Sequence, residues 1–178
     1  TMGLHPHRDR LCVIQMSGGD GNAHLVQVAK GQTDAPNLCK MLTDPNVLKI
    51  FHYGRFDIAA MQNAFGAVTA PVYCTKIASK LVRTYTDRHG LKNLLQELLS
   101  VDISKQQQSS DWGAAKLTKA QIEYAASDVL YLHRLRTELN KRLIREDRMA
   151  IAQACFDFLP MRANLDLVGW PEQDIFSY

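Results

Sequence analysis

The sequence lacks a long apolar run and any paired-cysteine motif. No stretch approaches the roughly 18 to 20 apolar residues of a bilayer-spanning helix, and basic and histidine side chains stand where a signal peptide would have its apolar core. The cysteines Cys12, Cys39, Cys74 and Cys155 form no Cys-x-x-Cys pair, which argues against a zinc ribbon and a dense disulfide framework. We expect a cytoplasmic protein with no membrane contact and with free thiols.

Histidine spacing, net charge and composition limit the possible metal sites, partners and class of protein. The 6 histidines show no His-Glu-x-x-His spacing, so we expect no histidine-based metal site. The 21 basic and 18 acidic side chains give a net charge of +3, which permits a phosphate-bearing partner without requiring one. A length of 178 residues with 46% hydrophobic and 22% charged residues is typical of one folded domain rather than of a disordered chain.

Apolar and β-branched runs alternate with helical patterns along the first hundred residues. Turn-forming residues 17–22 separate two strand-like runs and predict a hairpin. The predicted elements are strands over 11–16, 24–28 and 47–53 and helices over 36–42, 56–65, 75–83 and 91–99, followed by an exposed loop over 104–112. This alternation indicates an α/β fold.

A capping box predicts the start of a long helix in the C-terminal half. Thr118 is followed three residues later by Gln121, and an apolar stripe continues at helical spacing from Ile122 to Leu143. A last helix is predicted to begin near residue 148 and to end at Pro160, because proline removes a backbone donor and clashes with the preceding turn.

Tyr124, Asp128 and Asp57 are the side chains best placed for chemistry. Tyr124 and Asp128 lie one helical turn apart and share a face, so they can converge on one point; the alternative is a solvated carboxylate beside a half-buried phenol. Asp57 follows the strand over 47–53, where open α/β sheets place ligand sites; the alternative is a carboxylate that complements a helix dipole.

Basic residues dominate the segment from 75 to 92. It carries Lys76, Lys80, Arg83, Arg88 and Lys92 against Asp87 alone, with Tyr85 and His89 between them. This pattern favours contact with phosphates, although a solvated helix face explains the two lysines at 76 and 80 equally well.

Three motifs together resemble the ribonuclease D-like exonucleases of the DEDDy class. They are Gly54-Arg55-Phe56-Asp57, Ser110-Asp111-Trp112 and Tyr124-Ala125-Ala126-Ser127-Asp128, whose Tyr-x-x-x-Asp is the diagnostic part. Segments 76–92, 104–112 and 155–170 are similar to the nanoRNase C family of bacterial oligoribonucleases, so the resemblance spans nearly the whole chain. It implies an α/β, RNase H-like fold with a mixed sheet flanked by helices.

The resemblance also implies a reaction and its partners. The reaction is 3′-to-5′ hydrolysis of diribonucleotides and other very short single-stranded RNA to mononucleotides, with two divalent cations, Mg²⁺ or Mn²⁺, and the assembly is a homo-octamer. Asp128 would hold the first metal, Asp57 the second, and Tyr124 would orient the attacking water. Residues expected to contact the substrate are Leu4, which would wedge against the bases, and Arg55, Arg88, His89, Lys105, Gln108 and Ser110.

The sequence departs from the family pattern at its start. The family's first motif, Asp-x-Glu, belongs on a strand just before the position of Thr1 and is absent here. We therefore expect residues 1–178 to be a single exonuclease domain that lacks its first strand and that motif. Two alternatives stay open: a catalytically silent nucleic-acid-binding or scaffold relative, and a ribonuclease D-type enzyme that processes RNA 3′ ends.

Overall fold

A computed structural model describes residues 1, 3–104 and 106–177. The strands are β1 (Val13–Met16), β2 (His24–Gln27), β3 (Lys49–Phe51) and β4 (Val72–Cys74). The helices are α1 (Pro36–Thr43), α2 (Arg55–Phe65), α3 (Thr75–Val82), α4 (Leu91–Leu99), α5 (Lys119–Ser127), α6 (Leu132–Arg145) and α7 (Met149–Val168). The predicted α/β class is confirmed, and none of these helices is long and apolar enough to cross a membrane.

The strands form two pairs. β1 and β2 pair antiparallel with Ile14 opposite Val26, and the turn between them uses Gly19 and Gly21 at positive φ, which confirms the predicted hairpin. β3 and β4 pair parallel with Ile50 opposite Tyr73, joined by α2 as the crossover. β4 was not predicted, because a strand of 3 residues is too short to show an alternating pattern.

The main core lies around β4 and is closed by helices on both sides. Tyr73 on β4 packs its ring 4.4 Å from that of Phe156 on α7, and Leu94 on α4 and Leu135 on α6 are fully buried in the same cluster. A smaller cluster, which includes Ile14 and Leu42, lies between the hairpin, α1 and α2. The two clusters together hold β3 and the start of α2 in place.

The prediction of one long helix after Thr118 is wrong. The chain forms α5, then a turn over 128–131, then α6, with tight backbone bonds from Val129 to Ala126 (3.2 Å) and from Leu132 to Val129 (3.3 Å). α5 packs against the hairpin, whereas α6 packs against α3, α4 and α7. One straight helix could not satisfy both sets of neighbours, so packing overrides the continuous helical pattern.

The prediction that the last helix ends at Pro160 is also wrong. α7 continues through Pro160 to Val168. An interior proline costs about 3 kcal/mol. Phe156, Leu159 and Ala163 are buried on both sides of it, and burial of a large apolar side chain contributes about 1.5–3 kcal/mol. The buried face therefore keeps the helix intact across the proline.

Arg83 is a buried anchor at the end of α3. Its side chain is 2% exposed, and its Nε and Nη2 donate to the two carboxylate oxygens of Glu97 on α4. Its Nη1 donates to the Ser79 hydroxyl (3.1 Å) and to the Arg88 carbonyl (2.7 Å). One guanidinium thus ties α3, α4 and the loop that carries His89 together.

Glu97→Gln should destabilise the protein because it leaves the buried Arg83 without an anionic partner. The hydrogen bonds from Arg83 lower the pKa of Glu97 from 4.5 to about 2, so this stabilisation is complete above about pH 4.5 and is lost as the pH falls towards 2. We expect a loss of about 1–2 kcal/mol in the free energy of unfolding near neutral pH, a low value because Glu97 is 37% exposed.

Urea denaturation at neutral and acidic pH measures this loss. Glu138→Gln is the matched control, because Glu138 pairs on the surface with Lys141 and should contribute less than about 0.5 kcal/mol. A Glu97→Gln penalty that does not shrink in acid would contradict the assigned role.

Candidate active site

A cavity of about 530 Å³ lies between the β1 hairpin on one side and β3 with the start of α2 on the other. Five of the residues expected from the sequence to act on or bind the substrate line it: Leu4, Asp57, Gln108, Tyr124 and Asp128. They come from segments far apart in the chain, so their convergence is a property of the fold rather than of local spacing.

Asp57 reaches the cavity from the first turn of α2. β3 ends at Phe51, and a tight turn through Tyr53 and Gly54 leads directly into the helix, so the carboxylate lies just beyond the carboxyl end of a strand. The carboxylate is open to the cavity but enclosed by protein around it, and this enclosure, with the nearby charge of Asp128, raises its pKa to about 6.

Tyr124 and Asp128 reach the cavity from the last turn of α5. The backbone N–H of Asp128 donates to the Tyr124 carbonyl (3.3 Å), which keeps the helical spacing that places both side chains on one face. Burial raises the pKa of Asp128 to about 6. Burial and the charge of Asp128 raise the pKa of Tyr124 to about 12, so the phenol keeps its proton at neutral pH.

The buried Gln121 fixes the orientation of α5. The capping box is present: the Gln121 N–H donates to the Thr118 hydroxyl (3.2 Å), and the Thr118 N–H donates to the Gln121 side-chain oxygen (2.9 Å). The Gln121 side-chain amide then donates to the Asp111 carbonyl (2.9 Å) and the Ser110 hydroxyl (3.1 Å). These bonds hold Trp112 beside Tyr124, with a distance of 5.9 Å between the two ring centroids.

Two further residues of the cavity wall, His52 and Lys76, were not chosen as site residues from the sequence. The Thr75 hydroxyl donates to the Phe51 carbonyl (3.2 Å), so it accepts from Nδ1–H of His52 (2.9 Å). Burial, with the charge of Lys76, lowers the pKa of His52 to about 4, so the imidazole is neutral. The Lys76 ammonium lies 3.3 Å from the ring centroid of Tyr53. The basic pattern over 75–92 was the available signal for Lys76.

A cationic cleft adjoins the cavity. We use this name for the cleft lined by Lys76, Lys80, Arg83, Thr84, Thr86, Asp87, His89 and Gly90. Lys76 and Gly90 line both spaces, so the cleft lies directly beside the cavity. His89 is held there by its Nδ1 contact with the Ser79 hydroxyl (2.8 Å), whereas Arg88 is exposed beside it.

Two other substrate-binding predictions fall elsewhere, and a third cannot be placed. The Arg55 guanidinium is engaged by the buried Asp166 on α7, and the Ser110 hydroxyl accepts from Gln121. Lys105 lies outside the described residues. The cavity therefore brings together the expected catalytic side chains and only part of the expected substrate-binding set.

The ligands available for a metal are the carboxylates of Asp57 and Asp128. Their oxygens are the donors that Mg²⁺ and Mn²⁺ prefer, and burial raises the pKa of both groups. In the described part of the chain, no third His, Cys, Asp or Glu side chain completes a group with them. The two carboxylates fit a divalent cation as part of its ligand set.

Comparison with known proteins gives a consistent result. The family model described as 3′-5′ exonuclease matches residues 1–144. Ribonuclease D of Acidiphilium cryptum is 39% identical over 139 residues, which are 78% of this chain and 35% of that protein. The chain thus spans about a third of the length of the curated ribonuclease D relatives that it matches.

Solved structures resemble the chain over most or all of its length. Brucella melitensis NrnC with bound Mg²⁺ is 61% identical with a TM-score of 0.96, and the match covers 100% of this chain and 87% of that one. Brucella melitensis NrnC bound to pGG is 62% identical with a TM-score of 0.98, covering 100% and 86%. Escherichia coli RNase D is 28% identical with a TM-score of 0.76, covering 85% and 40%. The fold expected from the sequence resemblance is confirmed.

Asp128→Asn should stabilise the protein in the absence of divalent cations. Burial raises the pKa of the Asp128 carboxyl from 3.8 when unfolded to about 6 when folded, so its destabilising effect is absent below about pH 3.8, grows up to pH 6 and is constant above. We expect a gain of about 1–2 kcal/mol in the free energy of unfolding near pH 7.5. This is less than the full pKa shift would give, because the group borders a solvated cavity.

Denaturation in a chelator at about pH 7.5 and about pH 4 measures the gain, which should shrink at the lower pH. Asp102→Asn serves as the control, because Asp102 is 73% exposed and its removal should stabilise the protein at neither pH. An equal gain for Asp128→Asn at both values would contradict the assigned pKa.

Proposed function

The chain belongs to the 3′-5′ exonuclease family, and we propose that it acts as a metal-dependent exoribonuclease that degrades diribonucleotides and other very short RNA to mononucleotides in the cytoplasm. The observation that carries this proposal is the convergence of Asp57, Tyr124 and Asp128 on one cavity. The similarity to NrnC and to ribonuclease D supports it.

Asp57 and Asp128 are proposed to hold two divalent cations, Mg²⁺ or Mn²⁺. A cation bound there would lower the pKa of a coordinated water and offset charge on the phosphate. A solved structure of the similar Brucella melitensis NrnC holds Mg²⁺, which supports this choice of metal. Asp128 sits beside Tyr124 at the end of α5, and Asp57 approaches from α2, so the two carboxylates enter the cavity from different elements.

Tyr124 is proposed to orient the attacking water. Its pKa of about 12 keeps the phenol protonated at neutral pH, so it acts as a hydrogen-bond donor and acceptor rather than as a base. Contact with Trp112 and the anchoring of α5 by Gln121 restrict where the hydroxyl can point. A positioned hydroxyl of this kind contributes less to the rate than a metal ligand does.

A short substrate fits the dimensions of the site. A cavity of about 530 Å³ is within the range that encloses a small organic ligand, about 300–1,000 Å³, rather than a folded RNA. Leu4 and Gln108 line its wall, and Leu4 is exposed, so its side chain is available to pack against a base without reading its identity. The similar NrnC structure bound to pGG supports a substrate of two nucleotides.

Asp128→Asn and Tyr124→Phe test the assigned roles. We expect Tyr124→Phe to lower the single-turnover rate on a labelled diribonucleotide by about two orders of magnitude, because the hydroxyl that positions the water is lost. Asp128→Asn should lower it further, because a metal ligand is lost.

The surface variant Asp102→Asn controls for the loss of a carboxylate. Equal losses for the two site variants would contradict the roles. A wild-type protein that binds RNA in Mg²⁺ without cleaving it would favour the silent scaffold, and cleavage of long RNA in preference to dinucleotides would favour ribonuclease D-type processing.

We further propose a homo-oligomer, with the octamer implied by the family resemblance as its form. α7 buries Ala152, Phe156 and Leu159 in the core, yet its opposite side is also apolar. The exposed apolar side chains on α7 and the segment after it are Ile151, Phe158, Met161, Val168, Trp170, Ile175 and Phe176. A helix that is apolar on both sides is typical of one covered by a partner.

Phe158→Asp should therefore disrupt the assembly. We expect light scattering to give a multiple of 20.0 kDa for the wild type and a smaller particle for the variant, because a charge would be buried at the interface. Val68→Asp, at an exposed apolar residue outside α7, is the control and should leave the mass unchanged. A wild-type mass of one chain at micromolar concentration would exclude the assembly.

A further inference from the structure

The turn that delivers Asp57 to the cavity combines a strained residue with a helix start that has no side-chain cap. Tyr53 adopts φ +64°, a conformation that costs energy for a residue with a side chain. Gly54, the N-cap residue before α2, offers no side-chain cap, and a Cβ on it would lie 2.5 Å from the Cβ of Phe51. A strained turn and an uncapped helix start need support from outside the segment.

Part of that support comes from α3, through Thr75 and Lys76, and part comes from Asp166 near the end of α7. Arg55, the first residue of α2, donates from Nε to Asp166 Oδ2 (2.8 Å) and from Nη2 to Oδ1 (2.6 Å). Arg55 Nη2 also donates to the Pro171 carbonyl, and Arg162 Nη1 donates to Asp166 Oδ1 (2.8 Å). Two parallel bonds from one planar guanidinium fix its orientation, so Asp166 fixes the start of α2 against α7.

Stability alone does not explain the ion pair between Arg55 and Asp166. Asp166 is 4% exposed, and a buried ion pair contributes no more stability in general than well-packed apolar side chains would. Gln62 and Asn164 already join α2 to α7 by a side-chain hydrogen bond of 2.9 Å, farther along α2 from the turn. What Arg55 and Asp166 add is an oriented contact two residues before Asp57.

α7 lies outside the residues that match the exonuclease family model. The match ends at residue 144, and α7 begins at Met149. α7 thus supplies the start of α2 with a contact that the matched part of the domain does not contain.

We propose that Asp166 is a positioning residue for the metal site: through Arg55 it holds the first turn of α2 so that the Asp57 carboxylate stays in the cavity. α7 then helps to position a metal ligand of the active site, in addition to packing against the core. This inference rests on the proposed metal-dependent function and deepens it.

The test compares Asp166→Asn with Asn164→Ala in the intact protein. Both weaken the polar contacts between α2 and α7, but only the first removes the negative charge and one of the two parallel bonds that hold Arg55. Mn²⁺ binding is measured by electron paramagnetic resonance in the absence of substrate, and kcat and KM are measured on a diribonucleotide. We expect Asp166→Asn to weaken Mn²⁺ binding by at least about tenfold, as loss of a group that orients a metal ligand does.

We also expect Asp166→Asn to lower kcat with little change in KM, and Asn164→Ala to bind Mn²⁺ as the wild type does. Arg55→Lys keeps the charge but loses the two parallel bonds, so it should weaken Mn²⁺ binding as well; it carries the test if Asp166→Asn does not fold.

Normal Mn²⁺ binding by the folded variants, with only a lower melting temperature, would overturn the positioning role while the proposed function stands. A wild-type protein that neither binds Mn²⁺ nor cleaves the dinucleotide would overturn the proposed function and this inference with it.

Discussion

Two carboxylates that share one enclosed cavity are the constraint on which the rest of the site depends. Asp57 and Asp128 each have a pKa raised to about 6, because protein atoms surround them on the cavity wall and, for Asp57, because the other carboxylate lies near; Asp57 is nevertheless exposed in the cavity. Such an arrangement opposes folding at neutral pH. The elements that carry the two groups, α2 and α5, must therefore be held by contacts that lie outside the cavity.

Two buried polar side chains supply those contacts, and a third holds the elements beside the cationic cleft. Gln121 joins α5 to the loop at Asp111, Arg83 joins α3 and α4 to the loop before His89, and Asp166 joins α2 to α7. Each uses several directed hydrogen bonds where an apolar side chain would give comparable stability without direction. A fixed geometry around a binding cavity is what directed bonds provide and apolar packing does not.

Local patterns in the sequence predicted the parts of the fold that local interactions determine. The glycine-rich hairpin, the capping box at Thr118 and the shared face of Tyr124 and Asp128 are set within a few residues. The break between α5 and α6 and the passage of α7 through Pro160 depend on which distant elements each half packs against, so no local pattern could reveal them. Arg55 shows the same limit at the site: its motif indicated substrate contact, but its partner, Asp166, lies 111 residues away.

The distribution of charge around the cavity also explains why it suits a phosphodiester. The Asp57 and Asp128 carboxylates repel a phosphate, whereas Lys76 at the wall and the cationic cleft beside it attract one. Burial and the neighbouring Lys80 lower the pKa of Lys76. The Tyr53 ring centroid lies 3.3 Å from the Lys76 ammonium, so at this contact an aromatic ring, rather than an acidic side chain, holds the amine. An anionic substrate would therefore be drawn in along the cleft and stopped short of the carboxylates. Productive approach of the phosphate to Asp57 and Asp128 then requires positive charge between them, which is the physical reason that the proposed activity depends on a divalent cation.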